Sequence, residues 1–166
     1  MITRTDEIRP FESGDESATF QVWQRSGSAV YTFLPTWQAH TPDEARQYFR
    51  DVIVKECDLW IAAPDDEILG YMAMRGSYID RLYIDPDYWR LGWGTRFVNF
   101  AKQLSPNRLE LHTHVENHGA RALYEKHNFQ AVKFGLSPPP ESAPDVEYHW
   151  RPEKHWCTPV PESKDE

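Results

Sequence analysis

Apolar positions along the chain follow strand-like spacing in some segments and helix-like spacing in others. Residues 3–9 alternate weakly up to Pro10, which predicts an edge strand. Short apolar runs at residues 59–63, 68–74 and 78–84 are separated by charged or proline-containing turns, and they predict an antiparallel meander of strands. Beyond the last of these runs the pattern becomes strand, helix, strand, helix, strand. That order predicts a parallel crossover joined to the meander.

Two capping motifs predict helices before the meander. Ser13 and Glu16 are spaced as a capping box, and the helix behind them should turn Phe20 and Trp23 inward. Residues 41–44 form a second box, with proline at the first helical position. Apolar residues at helical spacing follow the second box: Ala45, Tyr48, Phe49, Val52 and Ile53.

The composition is that of one ordinary globular domain. The chain has 166 residues, of which 27% are charged and 40% hydrophobic, and this balance can build one core. We therefore expect a single domain over residues 1–152 and a polar tail over residues 153–166. Either disorder or a subunit contact, as in a homodimer, fits this proline-containing tail.

The net charge disfavours some partners and favours others. Acidic residues outnumber basic ones by 26 to 18, which gives a net charge of −8. Binding to the phosphates of nucleic acids needs clustered lysines and arginines, so we expect no nucleic-acid partner. A cationic small molecule or a basic peptide is the easier ligand.

The sequence indicates neither a membrane protein nor an oxidising compartment. No apolar run approaches the roughly 20 residues that span a bilayer, and the first residues lack the apolar stretch of a signal peptide. Cys57 and Cys157 are the only cysteines, too few for a disulfide framework or for a four-ligand zinc site. We expect a cytoplasmic protein without membrane contact, and we interpret both thiols as incidental.

A glycine-containing loop follows the last strand of the meander. Gly92 and Gly94 lie where that strand leads into a helix. The apolar stripe of this helix comprises Phe97, Val98, Ala101 and Leu104. Glycines let the backbone approach a ligand, and free amides at a helix N-terminus attract phosphate. A tight turn would use the same residues, so the loop alone leaves both interpretations open.

A second motif combines a strand over residues 109–115 with a helix. Asn117 can cap this helix, and Asn128 can end it in the left-handed conformation. Four residues share one face of the helix: Ala120, Leu123, Tyr124 and His127. Taken singly, Tyr124 fits a packing residue better than a catalyst.

The two motifs together resemble the GCN5-related N-acetyltransferase (GNAT) superfamily. The matching residues are Leu82, Tyr83, Ile84, Asp85, Pro86, Gly92, Gly94, Asn117, Ala120, Tyr124, Glu125, Lys126 and Phe129. The resemblance is strong over residues 58–135, and residues 144–150 are similar to the closing strand of some members. Two positions differ, because Trp89 stands where the family usually has glutamine or arginine and Asn128 replaces the usual glycine. The implied fold is α/β (α+β), a mixed central sheet of about seven strands with a splayed parallel pair, flanked by about four helices.

The resemblance implies direct transfer of an acetyl group from acetyl-CoA to an amine, without a metal. Backbone groups of Leu82, Tyr83 and Ile84 would pair with the pantetheine arm like an added strand. Asn117 would contact the pantetheine end, and Tyr124 would protonate the departing thiolate as a general acid. The pyrophosphate would lie on the loop amides of Arg90, Leu91, Gly92, Trp93, Gly94 and Thr95.

The amine must lose a proton before it attacks, and several bases are open. Relatives often place an acid where Asp80 stands, although a surface carboxylate would look the same. Regular alternation would put four residues of this strand on one face: Tyr78, Asp80, Leu82 and Ile84. His112 and His114 share a face of the next strand with Glu110 and titrate in a usable range, but they lack a third metal ligand. A chain of water molecules is the remaining alternative.

No motif encodes the acceptor. We expect a cationic small-molecule amine first, with a protein or peptide amine as the alternative. A non-catalytic acyl-CoA-binding module would be a different class of function. The acceptor cleft should be bounded by a proline-rich loop over residues 137–141 and by the irregular aromatic connection over residues 28–37. Tyr31, Phe33 and Trp37 in that connection could line the cleft or simply cover the core.

Overall fold

A mixed sheet in the order β1-β2-β3-β4-β5-β7-β6 organises the protein, and the computed structural model describes residues 7–152 of it. The strands are β1 (Ile8–Pro10), β2 (Asp58–Ala62), β3 (Gly70–Arg75), β4 (Tyr78–Ile84), β5 (Leu109–His114), β6 (Gln130–Leu136) and β7 (Pro144–Trp150). The helices are α1 (Glu16–Val30), α2 (Pro42–Tyr48), α3 (Trp93–Leu104) and α4 (His118–Lys126). Among these strands only β4 and β5 pair in parallel, which confirms the predicted fold class.

Two apolar cores lie on opposite faces of the sheet. The core under α3 and α4 includes Met72, Phe97, Val98, Leu109, Leu111, Tyr124 and Tyr148. The core under α1 and the segment after α2 includes Phe20, Trp23, Phe49, Ile53, Ile61 and Tyr71. β3 contributes to both cores, since Tyr71 and Met72 are neighbours in sequence and both are fully buried. This explains why the strand is apolar throughout instead of alternating.

The first helix begins differently from the prediction. The capping box is formed by Glu12 and Asp15, not by Ser13 and Glu16, because the Glu12 N–H donates to the Asp15 carboxylate at 2.8 Å. The chain then passes through a short 3₁₀ turn (Ser13–Asp15) into α1. Phe20 and Trp23 are buried as predicted. The helix runs on to Val30, so the aromatic connection is shorter than the sequence suggested.

The second capping box is confirmed. The Glu44 N–H donates to the Thr41 hydroxyl at 3.2 Å, and the Thr41 N–H donates to the Glu44 carboxylate at 2.9 Å. After α2 the chain continues as a π-helix (Phe49–Val54). The wider turn keeps Phe49 and Ile53 inside the core at 0% and 1% exposure.

The predicted edge strand is only partly described. β1 contains Pro10 as its last residue and pairs with β2. Pro10 lacks an N–H, so it is suited to the outermost strand of the sheet. Residues 3–6 of the predicted strand, the tail over residues 153–166 and Cys157 lie outside the described residues. No helix within residues 7–152 is long and apolar enough to cross a membrane.

A β-bulge in β4 overturns one expectation about the site. Ile79 lies opposite Met74 and Arg81 lies opposite Ala73, which leaves Asp80 as an extra residue. The extra residue reverses the alternation, so Ile79 packs into the α3/α4 core together with Leu82 and Ile84. Asp80 instead lies beside Cys57 and Arg81 at a small pocket next to the π-helix that follows α2. The prediction that Asp80 shares a face with Leu82 and Ile84 was therefore wrong.

The parallel pair is splayed. β4 and β5 meet at one register position, Tyr78 opposite Glu110, next to a 3.1 Å hydrogen bond from the Glu110 N–H to the Ser77 carbonyl. On its other edge, β5 pairs with β7 over its whole length, from Leu109 to His114. The edge of β4 that follows the bulge therefore faces a gap instead of a neighbouring strand.

Candidate active site

The register of β3 and β4 decides which backbone groups point into the gap. The Asp85 N–H donates to the Leu69 carbonyl at 2.7 Å, and in an antiparallel ladder every second opposed pair exchanges such bonds. Tyr83, opposite Tyr71, therefore bonds to β3. Its main chain is not available to the gap, contrary to the expectation that consecutive residues would pair with a cofactor. The outward groups belong to the residues on either side, Leu82 and Ile84.

The carbonyl of Ile84 already has two partners. The Ser26 hydroxyl donates to it at 2.6 Å, and the Trp89 indole N–H donates to it at 2.7 Å. Within residues 7–152, the groups of this edge left for a ligand are thus the N–H and C=O of Leu82 and the N–H of Ile84. The indole of Trp89 ties the glycine loop to β4, a structural function that the sequence did not reveal because Ile84 accepts through its main chain.

The N-terminus of α3 presents free amides. Gly92 is the N-cap residue in a left-handed conformation with φ of 89°, and it provides no side-chain cap. The Arg96 N–H makes the first helical bond, to the Gly92 carbonyl at 3.1 Å. In contrast, α2 is capped by Thr41 and α4 by Asn117. The amides left without a helical acceptor are those of Trp93, Gly94 and Thr95, and such a group attracts an anion.

The two glycines of the loop have different functions. Gly92 is needed for its positive φ, and a Cβ there would meet no atom within 4 Å. A Cβ on Gly94 would lie 3.0 Å from the Leu123 side chain on α4. Gly94 therefore allows α3 and α4 to approach each other. Arg90 and Leu91, the other predicted loop residues, are exposed, and Arg90 has a positive φ of 64°.

Tyr124 is both a core residue and a candidate acid. Its ring lies 5.3 Å from that of Phe129 and 6.3 Å from that of Tyr148, and the residue is 6% exposed. Its hydroxyl has no hydrogen-bond partner among residues 7–152. Burial raises the pKa of this phenol above its ordinary value, and the neighbouring Tyr83 and Tyr78 raise it further. The hydroxyl thus keeps its proton and is free to donate it.

Asn117 has a structural function in addition to the predicted one. Its side-chain carbonyl accepts a hydrogen bond from the Ala120 N–H at 3.2 Å and so caps α4. Only the NH₂ group of the Asn117 side chain is left for a ligand. At the other end of α4, the ring of His127 bonds to the Thr95 hydroxyl at 3.0 Å, which links this helix to the first turn of α3.

An aromatic cluster lies across the gap from the α3/α4 core. The Tyr31 ring contacts Phe33 at 6.0 Å and His114 at 5.7 Å between centroids. The Tyr31 hydroxyl lies 2.6 Å from the Tyr83 hydroxyl on β4, and burial raises the pKa of Tyr31 well above its ordinary value, with Tyr83 adding to the effect. The Trp37 ring packs against both Tyr31, at 5.2 Å between centroids, and Trp23, at 5.5 Å. The connection therefore provides both a wall and a core cover.

The three candidate bases have different surroundings. Asp80 is held by Arg75 at 2.9 Å and by Arg81 at 3.4 Å. The Nδ1 atom of His112 lies 2.8 Å from the Tyr78 hydroxyl. The Nδ1 atom of His114 is buried and has no partner in the part of the chain that the structure describes. Nearby, burial raises the pKa of the Cys57 thiol to about 11, with Asp80 adding to the effect, which fits an unreactive cysteine.

His112 and His114 lie on one face of β5 together with Glu110, as predicted. Their partners on β7 are Glu147 for His112 and Asp145 for His114. The described part of the chain, residues 7–152, contains no group of three or more His, Cys, Asp or Glu side chains that could hold a metal ion.

Comparison with known proteins places this geometry in context. The model of the acetyltransferase (GNAT) family matches residues 18–129. The peptidyl-lysine N-acetyltransferase YjaB of Salmonella typhimurium is 33% identical over 112 residues, which are 67% of this chain and 74% of that protein. YjaB of Escherichia coli is 32% identical over 125 residues, 73% of this chain and 78% of that protein.

Solved structures show the same architecture. The apo-form solution structure of YjaB from E. coli has a TM-score of 0.72 at 25% identity, covering 86% of this chain and 95% of that one. The structure of yncA, a putative acetyltransferase from S. typhimurium with its cofactor acetyl-CoA, has a TM-score of 0.62 at 11% identity. It covers 91% of this chain and 96% of that one, and it supports the fold alone.

Proposed function

The chain belongs to the acetyltransferase (GNAT) family, and from this premise we propose that it transfers the acetyl group of acetyl-CoA directly to a primary alkylamine. The observation that carries the proposal is Tyr124, a buried residue whose hydroxyl has no partner among residues 7–152 and whose pKa is raised by burial. It lies on α4 in the core that also contains residues of β4 and β5.

The cofactor would be held at three places along the gap. Its pantetheine arm would pair with the free groups of Leu82 and Ile84 as an added strand. Its pyrophosphate would lie on the amides at the start of α3, where the helix dipole favours negative charge. The side-chain amide of Asn117 would contact the pantetheine near the thioester. This arrangement leaves the thioester between Tyr124 and the aromatic cluster.

Transfer of the acetyl group requires two proton transfers, one from the amine and one to the leaving sulfur. The amine nitrogen forms a bond to the thioester carbonyl carbon, and the carbon–sulfur bond then breaks. Tyr124 gives its proton to the departing thiolate, because burial keeps the phenol protonated and protonation of the leaving sulfur lowers the barrier. The nitrogen of the new amide loses a proton, which returns to Tyr124. The ammonium form must first lose another proton to a base, for which Asp80, His112, His114 and a chain of water molecules are the candidates.

The acceptor proposed here is a primary ammonium on a flexible alkyl chain. The net charge of −8 favours a cation, and aromatic rings at the gap can contact one. The names of the two relatives support the alternative acceptor, the lysine side chain of a peptide. A free cationic small-molecule amine, the acceptor expected first from the sequence, has the same reacting group.

The test is CoA release with two acceptors in parallel. One is a short peptide with a blocked N-terminus and one lysine, and the other is 1,5-diaminopentane. The same peptide with norleucine in place of lysine is the control. Release with the lysine peptide alone identifies a peptidyl substrate, and release with the diamine alone identifies a small-molecule enzyme. Binding of acetyl-CoA without release in either arm would overturn the proposal in favour of an acyl-CoA-binding module.

A further inference from the structure

His114 is the last residue of β5, and its ring belongs to the aromatic cluster at the gap. Its ring packs between Tyr31 and Phe33, with centroid distances of 5.7 Å to each. The side chain is 13% exposed. The ring is thus fixed in place at the point where β5 has separated from β4, beside the rings that would surround an incoming amine.

The two nitrogen atoms of His114 have different surroundings. Nε2 lies 3.5 Å from a carboxylate oxygen of Glu141, in the loop between β6 and β7. Nδ1 is buried and has no partner within residues 7–152. A neutral imidazole carries one N–H and one lone pair, and in the tautomer with the proton on Nε2, the nitrogen nearer to Glu141, the lone pair is on Nδ1. A buried acceptor without a partner is costly unless a ligand supplies the missing N–H.

The other candidate bases are already engaged. Both carboxylate oxygens of Asp80 hold charged partners, Arg75 and Arg81, so a proton on Asp80 would weaken two ion pairs. The Nδ1 atom of His112 is occupied by the Tyr78 hydroxyl, and its side chain is 44% exposed.

We propose that His114 is the general base, accepting the ammonium proton of the acceptor on Nδ1 while Glu141 fixes the tautomer through Nε2. This inference rests on the proposed function. One proton passes from the ammonium group to His114 and on to solvent. The neutral amine then attacks the thioester, and its second proton replaces the one that Tyr124 gives to sulfur. One proton is released per acetyl group, which balances the reaction.

Several titratable groups surround the ring and will shape its pH response. They are Glu141 in the β6–β7 loop, Asp145 opposite His114 on β7, Tyr31 at the end of α1 and His112 on β5. Tyr31 is neutral over the useful range, because burial raises its pKa. Tyr31 therefore does not contribute to the acid limb of the pH profile.

The experiment measures kcat/KM against pH, using whichever of the lysine peptide and 1,5-diaminopentane gives the higher turnover. With a base that deprotonates a bound ammonium ion, the wild-type profile should be bell-shaped, with an acid limb between about pH 5 and 8, where imidazoles titrate. In His114→Gln, kcat/KM should fall by about 10²- to 10⁴-fold, the usual contribution of a general base. The profile should then rise steadily up to the pKa of the amine, because only the free amine reacts.

Two controls separate a chemical role from a structural one. The first control is His149→Gln on β7, which should keep kcat/KM and the bell-shaped profile. The second is the Kd for acetyl-CoA, which should be unchanged in His114→Gln. If His114→Gln does not fold, Glu141→Gln serves instead, and kcat/KM should drop by about tenfold with a displaced acid limb. The proposal is overturned by a wild-type profile in His114→Gln or by the same loss in His112→Gln or Asp80→Asn. An inactive wild type would instead overturn the proposed function itself.

Discussion

The indole N–H of Trp89 donates to the carbonyl of Ile84 at 2.7 Å. This bond joins the loop before α3 to the strand edge that faces the gap. The two predicted parts of the cofactor site, pyrophosphate seat and pantetheine edge, are thereby held at a fixed spacing. The bond also occupies the Ile84 carbonyl, which would otherwise be open to a donor group of the ligand.

Replacing this donor should loosen the cofactor site. We expect Trp89→Phe to weaken acetyl-CoA binding by about five- to tenfold, since a lost hydrogen bond of about 1 kcal/mol lets the loop move relative to β4. Isothermal titration calorimetry measures the effect. Ser26→Ala removes the other donor to Ile84 but lies on α1, so it should lower thermal stability with little change in affinity. Equal affinity losses in both variants would argue against a specific link between loop and strand.

Substitutions of the two loop glycines should have different effects. Gly92→Ala should weaken acetyl-CoA binding and cost about 1 kcal/mol of stability, because alanine disfavours the left-handed conformation. Gly94→Ala should lower the melting temperature by forcing Leu123 away, and the additional change Leu123→Ala should restore part of it. Calorimetric melting and binding titrations on these variants, with Leu123→Ala alone as the fourth, measure both effects. Additive losses in the double variant would contradict the steric explanation.

Tyr124→Phe tests the general acid. The ring and its contact with Phe129 remain, so folding and the Kd for acetyl-CoA should change little. Turnover should fall by roughly 10- to 10⁴-fold, the range for losing a general acid or a leaving-group hydrogen bond. A thioester with a more acidic thiol should recover part of the rate, because it needs less protonation. Wild-type turnover in this variant would show that Tyr124 is only a packing residue.

Alkaline pH should destabilise the fold. The folded state raises the pKa of Tyr71 and Tyr31 well above the ordinary value through burial, and burial raises that of Tyr148 to about 12, helped by its hydrogen bond to Glu125. These groups therefore remain protonated when the unfolded chain begins to ionise near pH 10. The free energy of unfolding has its full value below that pH and decreases above it, by about 1.4 kcal/mol per pH unit for each such group.

Urea unfolding at pH 8, 9.5 and 10.5 measures this loss. Tyr148→Phe is the matched variant, because it keeps the ring but removes one titrating hydroxyl. At pH 8 this variant should be less stable than the wild type, because it lacks the hydrogen bond to Glu125. Above pH 10 its free energy of unfolding should decline less steeply. Parallel curves for both proteins would show that Tyr148 ionises alike in the folded and unfolded chains.

Acetyl-CoA itself should stabilise the protein. A ligand that binds only the folded state adds about 2.7 kcal/mol at a concentration 100 times its Kd. Differential scanning fluorimetry with increasing acetyl-CoA, and with desulfo-CoA as a comparison, gives the shift. No change in melting temperature at millimolar acetyl-CoA would contradict a cofactor site in the gap.

Local sequence patterns determined much of this protein. The capping box at Thr41, the left-handed glycine at Gly92 and the cap at Asn117 each depend on neighbours within one turn, so residue type and spacing specify them. The closing strand over residues 144–150 coincides with β7. The motif residues of the resemblance likewise identified the family, because they are local in sequence.

Only the tertiary structure decided how these parts meet. The extra residue Asp80 reverses the faces of β4, and whether a bulge forms depends on pairing with β3, which no local spacing encodes. The contact of Gly94 with Leu123 and the two bonds to the Ile84 carbonyl join residues far apart in sequence. The free nitrogen of His114 likewise results from what surrounds it in space. Packing and register across the sheet, which arise when the chain folds, therefore determined the chemistry available at the gap.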